Sequence, residues 1–193
     1  MRKVKLLILF ITILGSTVVN AQKTAIYKNP DARYRDAMEL FNKEKYGAAR
    51  ELFKQVIKEL NDPKSVITAD ASYFAAISSL ELFNKDAEFE LTGFINNYPE
   101  NTKINQAWFK LGCYQASTDK QKQAIISFDN VDTYDLSPVQ LTEYNFKKGY
   151  CYFIAANYDK AKKHLGDVKD GNSKYATPAT YYYAHILLSL IHI

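Results

Sequence analysis

One pattern recurs at a near-constant interval along this 193-residue chain: a small residue, an Ala 12 positions on, an aromatic residue or Leu 4 further, and an apolar residue 3 beyond that. It reads Ala37…Ala49…Phe53…Val56, then Ala75…Ala87…Leu91…Phe94. It continues as Gly112…Ala124…Phe128…Val131 and Gly149…Ala161…Leu165…Val168, and opens a fifth time at Ala184. The small residues step by 38, 37, 37 and 35 positions. A period of this order belongs to stacked structural units, each too small to bury its apolar face alone. That restricts the fold before any single residue is considered.

The pattern is that of a helical hairpin. The small residue and the Ala 12 positions later fall on two antiparallel helices whose backbones approach closely, so a larger side chain would force them apart. Phe53 and Phe128 fill the wedge between one hairpin and the next. Within each half, apolar residues recur at helical spacing, as in Trp108, Leu111 and Gly112, or Ala124, Ile125, Phe128 and Val131. Punctuation falls where the pattern requires it. Asn29-Pro30, Ser137-Pro138 and Thr177-Pro178 each offer a cap residue followed by Pro at the first helical position. Ser137 with Gln140 also fits a capping box, and Gly171-Asn172 suits a left-handed helix end.

These residues resemble the tetratricopeptide repeat family. Its succession of Trp-x-x-Leu-Gly, Tyr, Ala, a second aromatic and a closing apolar residue is matched best by Trp108, Leu111, Gly112, Ala124, Phe128 and Val131. The first repeat supplies Tyr46, Ala49 and Phe53, the fourth Gly149, Tyr158 and Ala161, and the segment Asn96–Asn101 with Pro99 closes the second. Within the family the chain is most similar to the exported envelope subgroup that includes BamD-type and cell-division-coordinator-type proteins. It departs from the family in three ways. The period exceeds the usual 34 or so, Asn84 stands at the turn aromatic of the second repeat, and Lys148 stands where Leu is usual. The resemblance implies an all-α fold over residues 30–187: a right-handed α-solenoid of antiparallel helix hairpins, about four and a half repeats long.

It also implies a groove lined by the first helix of each hairpin. Family groove positions map onto Tyr34, Met38, Phe41 and Asn42; onto Ser72, Ala76, Ser79 and Leu80; onto Phe109, Cys113, Ala116 and Ser117; and onto Phe146, Tyr150, Phe153 and Ile154, with Tyr181 and His185 continuing the row. The candidate peptide-binding residues are Tyr34, Met38, Phe41, Phe109, Phe146, Tyr150, Phe153 and Tyr181. The row is aromatic and carries no Lys or Arg, so it suits an apolar or amphipathic segment and not a carboxylate clamp.

Chemistry-bearing patterns are sparse. Cys113 and Cys151 fall on equivalent helices of neighbouring repeats, where axes stand roughly 8–10 Å apart, beyond the Cα separation of about 7 Å that a disulfide tolerates; two buried free thiols are expected. His164, His185 and His192 form no pair at ligand spacing, and neither a phosphate-cradling loop nor a nucleophile elbow is present. Glu88 with Glu90, and Asp129 with Asp132, read as acids on solvated helix faces, as do the basic runs at 120–122 and 160–163. No catalytic, metal or cofactor site is expected, and the chain is read as not an enzyme.

The two ends read differently from the repeats. Residues 1–21 combine Arg2, Lys3 and Lys5 with a 14-residue apolar stretch, Leu6–Val19, and small residues at Val19 and Ala21, which reads as a signal peptide cut before Gln22, the alternative being an uncleaved membrane anchor. Fourteen apolar residues fall short of the roughly 20 that span a bilayer, so no integral membrane span is expected after cleavage. Residues 22–29 read as a linker. The last six, Leu188 to Ile193, resemble a translated sequencing-library adapter, which marks residues 188–193 as a non-native tail on a fragment. Without the leader, 22 basic residues face 21 acidic ones, which gives no electrostatic reason for nucleic-acid binding. The expected function is a non-catalytic protein–protein interaction scaffold in the periplasm or cell envelope. Its partner would be another envelope protein or peptide segment, through which it could associate with the outer membrane. The alternative is the N-terminal repeat module of a larger envelope enzyme or receptor.

Overall fold

The computed structural model describes residues 29–191. The expected signal peptide at 1–21, the expected linker at 22–29 apart from Asn29, and His192 and Ile193 of the expected tail lie outside the described residues. Among the described residues there are nine α-helices and no strand. They are α1 (Pro30–Asn42), α2 (Tyr46–Leu60), α3 (Val66–Glu81), α4 (Ala87–Asn97), α5 (Ile104–Ser117), α6 (Gln121–Asp129), α7 (Pro138–Ile154), α8 (Tyr158–Lys169) and α9 (Ala176–Ile191). A single 3₁₀ turn, Thr133–Asp135, precedes α7.

Each helix packs on the next in the chain, and each odd-numbered helix also touches the following odd-numbered one. This contact order is that of a helical repeat, in which burial comes from neighbouring units. The recurring sequence positions form its interior. Ala49, Phe53, Val56, Leu91, Phe94, Ala124, Phe128, Ala161, Leu165 and Val168 are all buried, as are Ala37, Ala75, Gly112 and Gly149 opposite them. The close approach is tightest at the two glycines. A Cβ on Gly112 would stand 2.7 Å from the Phe128 ring, and one on Gly149 would stand 2.9 Å from Leu165. The bulky residue 16 positions on therefore lies directly over the small one. The fifth small residue, Ala184, is exposed on α9, with no later helix among the described residues to cover it.

Two helix starts follow the local chemistry read from the residues. Asn29 caps α1 by accepting from Ala32 N–H, with Pro30 in the first turn, and Ser137 and Gln140 close the capping box of α7 reciprocally. Two expectations are corrected. α9 begins at Ala176, so Pro178 lies inside its first turn, where a missing N–H breaks no helical bond. α8 ends at Lys169 with Asp170 as its cap, and Gly171 does not take a left-handed conformation.

The left-handed residues are instead Glu44, Phe83, Asp119 and Ala156, with φ of 58°, 54°, 58° and 55°, plus Asn61 at the end of α2. The first four sit at the same place in successive hairpins. In each, the following N–H reaches back to a carbonyl five residues earlier: Lys45 to Leu40, Asn84 to Ser79, Lys120 to Gln115 and Asn157 to Tyr152, at 2.8–3.0 Å. This Schellman closure satisfies an orphan carbonyl and reverses the chain without glycine, at the steric cost a Cβ brings to this region.

Candidate functional site

The eight groove candidates occupy three settings. Tyr34, Met38 and Phe41 pack into the core shared by α1, α2 and α3. Tyr34 lies 5.8 Å from the Phe53 ring, and Phe41 meets Phe74 edge-on at 5.1 Å. Burial, reinforced by the Asp70 carboxylate, pushes the Tyr34 hydroxyl up to about 12. Phe109 is 2 % exposed and belongs to the third hairpin's core with Cys113 and Phe128. The remaining four lie where α7 meets α9. Phe146 stacks on Tyr175 at 4.9 Å, while Tyr150 and Phe153 both pack on Tyr182, at 5.1 and 5.0 Å. Tyr181 contacts Tyr182 and His185 and is 62 % exposed. The structure thus brings Tyr150, Phe153 and Tyr181 together around Tyr182, a residue that spacing alone did not single out.

On α3 the mapped positions face elsewhere. Ser72 and Ala76 line a cavity of about 370 Å³ walled by α2 and α4, Leu80 is buried, and the buried Ser79 hydroxyl donates to Glu90 of α4. Glu90 is a hub. Arg50 reaches it at 2.7 Å and Lys54 at 2.8 Å, and Arg50 also pairs with Asp86 at 2.8 Å. Desolvation pushes the Glu90 carboxyl up, but the hydrogen bonds from Arg50, Lys54 and Ser79 outweigh it and hold the group below the usual carboxylate range. Glu88 likewise accepts from Gln115 and Lys120 of the next hairpin. The reading of Glu88 and Glu90 as acids on a solvated face is therefore corrected: both bind across hairpins.

Lys148, the departure from the family pattern, is buried in α7 with its ammonium 2.8 Å from Asp129 Oδ1 and 2.7 Å from Tyr144 Oη. Tyr144 in turn donates to the Phe128 carbonyl at 3.3 Å, so the ammonium anchors the end of α6. Burial opposes the charge, yet Asp129 and Tyr144 hold Lys148 above its ordinary value. His164 stacks on Tyr152 at 5.8 Å and shares a 3.0 Å hydrogen bond with Asn145. Burial, aided by the Lys148 charge, lowers it to about 4. Asp129 was also expected on a solvated face; its bond to Lys148 is what that spacing could not show.

Both cysteines are free and buried, and burial pushes Cys113 up to about 12 and Cys151 to about 11. Neither is a thiolate at neutral pH. Among the described residues no group of three or more His, Cys, Asp or Glu is placed to hold a metal ion, and no helix is long and apolar enough to cross a membrane. Compared with models of known families and with curated proteins, the chain matches none.

Proposed function

We propose that this chain is a non-catalytic interaction scaffold of the tetratricopeptide-repeat kind, exported to the periplasm or cell envelope. In this reading the helical repeat is a right-handed α-solenoid of about four and a half hairpins over residues 30–187, with the odd-numbered helices on its concave side. The scaffold binds an apolar or amphipathic segment of another envelope protein by burying aromatic surface, with no covalent step.

One observation carries the reading. Tyr150, Phe153, Tyr181, Tyr182 and His185 cluster across α7 and α9, and the cluster stays open to solvent at Tyr181. Adjacent aromatic rings on a rigid helical frame bind apolar side chains at low entropic cost.

The test uses amphipathic peptides selected from a displayed library on the purified chain. Tyr150→Ser with Tyr181→Ser is expected to weaken the selected peptides at least tenfold while leaving helicity unchanged. Equal binding by the double variant overturns the assignment of this face. Export is checked separately: expression of the full chain should yield a periplasmic or envelope product beginning at Gln22, and a cytoplasmic product retaining Met1 contradicts it.

A further inference from the structure

The face assigned to α7 and α9 continues along α7 past the cluster at Tyr181. Val139, Thr142, Phe146, Tyr150 and Phe153 recur at intervals of 3, 4, 4 and 3 residues, which puts all five on one side of that helix. The helix itself fixes their order, and at the α-helical rise the row is about 21 Å long. None of the five is buried, and Val139 is 77 % exposed. Tyr175 stacks on Phe146, and Tyr182 packs on both Tyr150 and Phe153, so the second wall follows the same row.

At its Val139 end the row opens into a cavity of about 500 Å³. Pro138, Val139 and Thr142 wall it on α7, and Ser173, Lys174 and Tyr175 wall it from the connection before α9. Lys174 is the one ionised residue of that wall. Its ammonium stands 5.0 Å from the centre of the Tyr175 ring and pairs with no carboxylate among the described residues. The one acid of α7, Glu143, holds Lys147 at 3.0 Å, and the one acid of the connection, Asp170, pairs with Lys169. The positive pole of α7 lies at the same end of the row.

On the reading of this face as the scaffold's binding surface, we propose that its occupant is an amphipathic helix of a partner protein, laid along α7 with a carboxylate at the end that reaches Lys174. The walls select a helix. Around Tyr150 and Phe153 both are α-helices whose main-chain groups bond internally, so an extended segment would lose hydration there without gaining main-chain partners. A helix satisfies its own main chain, and its side chains at every third or fourth position fit a row of the same spacing. A partner helix of about 15 residues spans the row. Lys174 selects the acid. An unpaired ammonium at the edge of an apolar cavity attracts a carboxylate most strongly once the ligand has displaced the water around it. The cavity also takes an apolar side chain beside that carboxylate, against Val139 and Tyr175.

The test is selection of a displayed library of helical peptides of about 15 residues on the purified full chain, followed by binding of the enriched peptides to variants. Val139→Asp places a competing carboxylate in the cavity and suits the first turn of a helix, so it keeps the chain folded; Val66→Asp makes the same change at the exposed start of α3 and is the control. Enriched peptides with an apolar row and an acidic residue at one end, bound at least tenfold more weakly by Val139→Asp and equally by Val66→Asp, are the expected result. Lys174→Glu should weaken the same peptides several-fold, and exchanging their end acid for Lys should restore binding to that variant. Peptide helicity should rise on binding in far-UV circular dichroism. Peptides that Tyr150→Ser with Tyr181→Ser weakens, but Val139→Asp and Lys174→Glu do not, overturn the inference and leave the binding face standing. Peptides untouched by all of these variants, or no enrichment, remove the face and the inference together. Binding without a gain in helicity overturns the helical occupant. A chain that dimerises in sedimentation, and is made monomeric by Val139→Asp, assigns the groove to a second copy and overturns the inference too.

Discussion

Replacing a helical glycine by alanine ordinarily gains about 1 kcal/mol, because alanine loses less backbone entropy on folding. In this chain the same substitution should act with opposite sign at two positions. At Gly93 the new methyl meets nothing within 4 Å, so the full gain of about 1 kcal/mol is expected. At Gly112 it would stand 2.7 Å from two carbons of the Phe128 ring and 3.0 Å from a third. That ring is fully buried and cannot swing away. Overpacking of this kind costs about 1–3 kcal/mol, so Gly112→Ala should destabilise by about 1 kcal/mol net of the propensity gain. The two variants should then differ by about 2 kcal/mol, or roughly 2–4 °C of melting temperature per kcal/mol for a chain of this size. The chain itself contains the rescue. The second hairpin sets Leu91 over Ala75 at the equivalent positions, both buried, so Phe128→Leu should relieve Gly112→Ala. A double-mutant cycle should show a favourable coupling of about 1 kcal/mol or more. Urea unfolding followed by far-UV circular dichroism measures all five proteins: the parent, Gly93→Ala, and the three variants of the cycle. If Gly112→Ala stabilises as much as Gly93→Ala, or the cycle shows no coupling, the small-over-bulky packing that organises the hairpins is wrong.

Three further outcomes are expected. Phe83 holds φ of 54° with its ring 87 % exposed, so Phe83→Gly should stabilise by about 1 kcal/mol, and Phe83→Val should destabilise, both read by thermal melting. His164 binds a proton less readily folded than unfolded, so stability is fully present above the ordinary value of about 6.5 and is lost as pH falls towards 4, by on the order of 2 kcal/mol after allowing for partial solvent access. Urea midpoints between pH 7 and 4 test this, and Lys148→Met should raise the His164 titration midpoint seen by proton NMR, because it removes a nearby positive charge. Thr68→Val should raise stability by about 1 kcal/mol, since it deletes a buried hydroxyl that has no partner; an equal loss would mean that the hydroxyl is satisfied in solution.

Much of the hairpin architecture was legible in the residues. The small residue and its bulky partner 16 positions later belong to one hairpin with a short connection, so their contact is nearly local. The caps at Asn29 and Ser137 are local for the same reason. The four left-handed turns were not legible because none places glycine or asparagine at the left-handed position itself; Phe83 is held there by the Asn84-to-Ser79 bond.

The functional surface was legible only in part. The aromatic richness of the odd-numbered helices is a property of the residues, but burial of Phe109 and exposure of Tyr181 are not. The amino-acid sequence by itself determined the helices, their pairing into hairpins and the small-over-bulky contacts within each, because these depend on spacing along one or two helices. Only the tertiary structure decided that Arg50 meets Glu90 across 40 residues, that Lys148 reaches Asp129, and that α2 and α4 leave a cavity over α3. Those contacts depend on how successive hairpins rotate against each other, a rotation set by the summed packing of both units and carried by no single spacing.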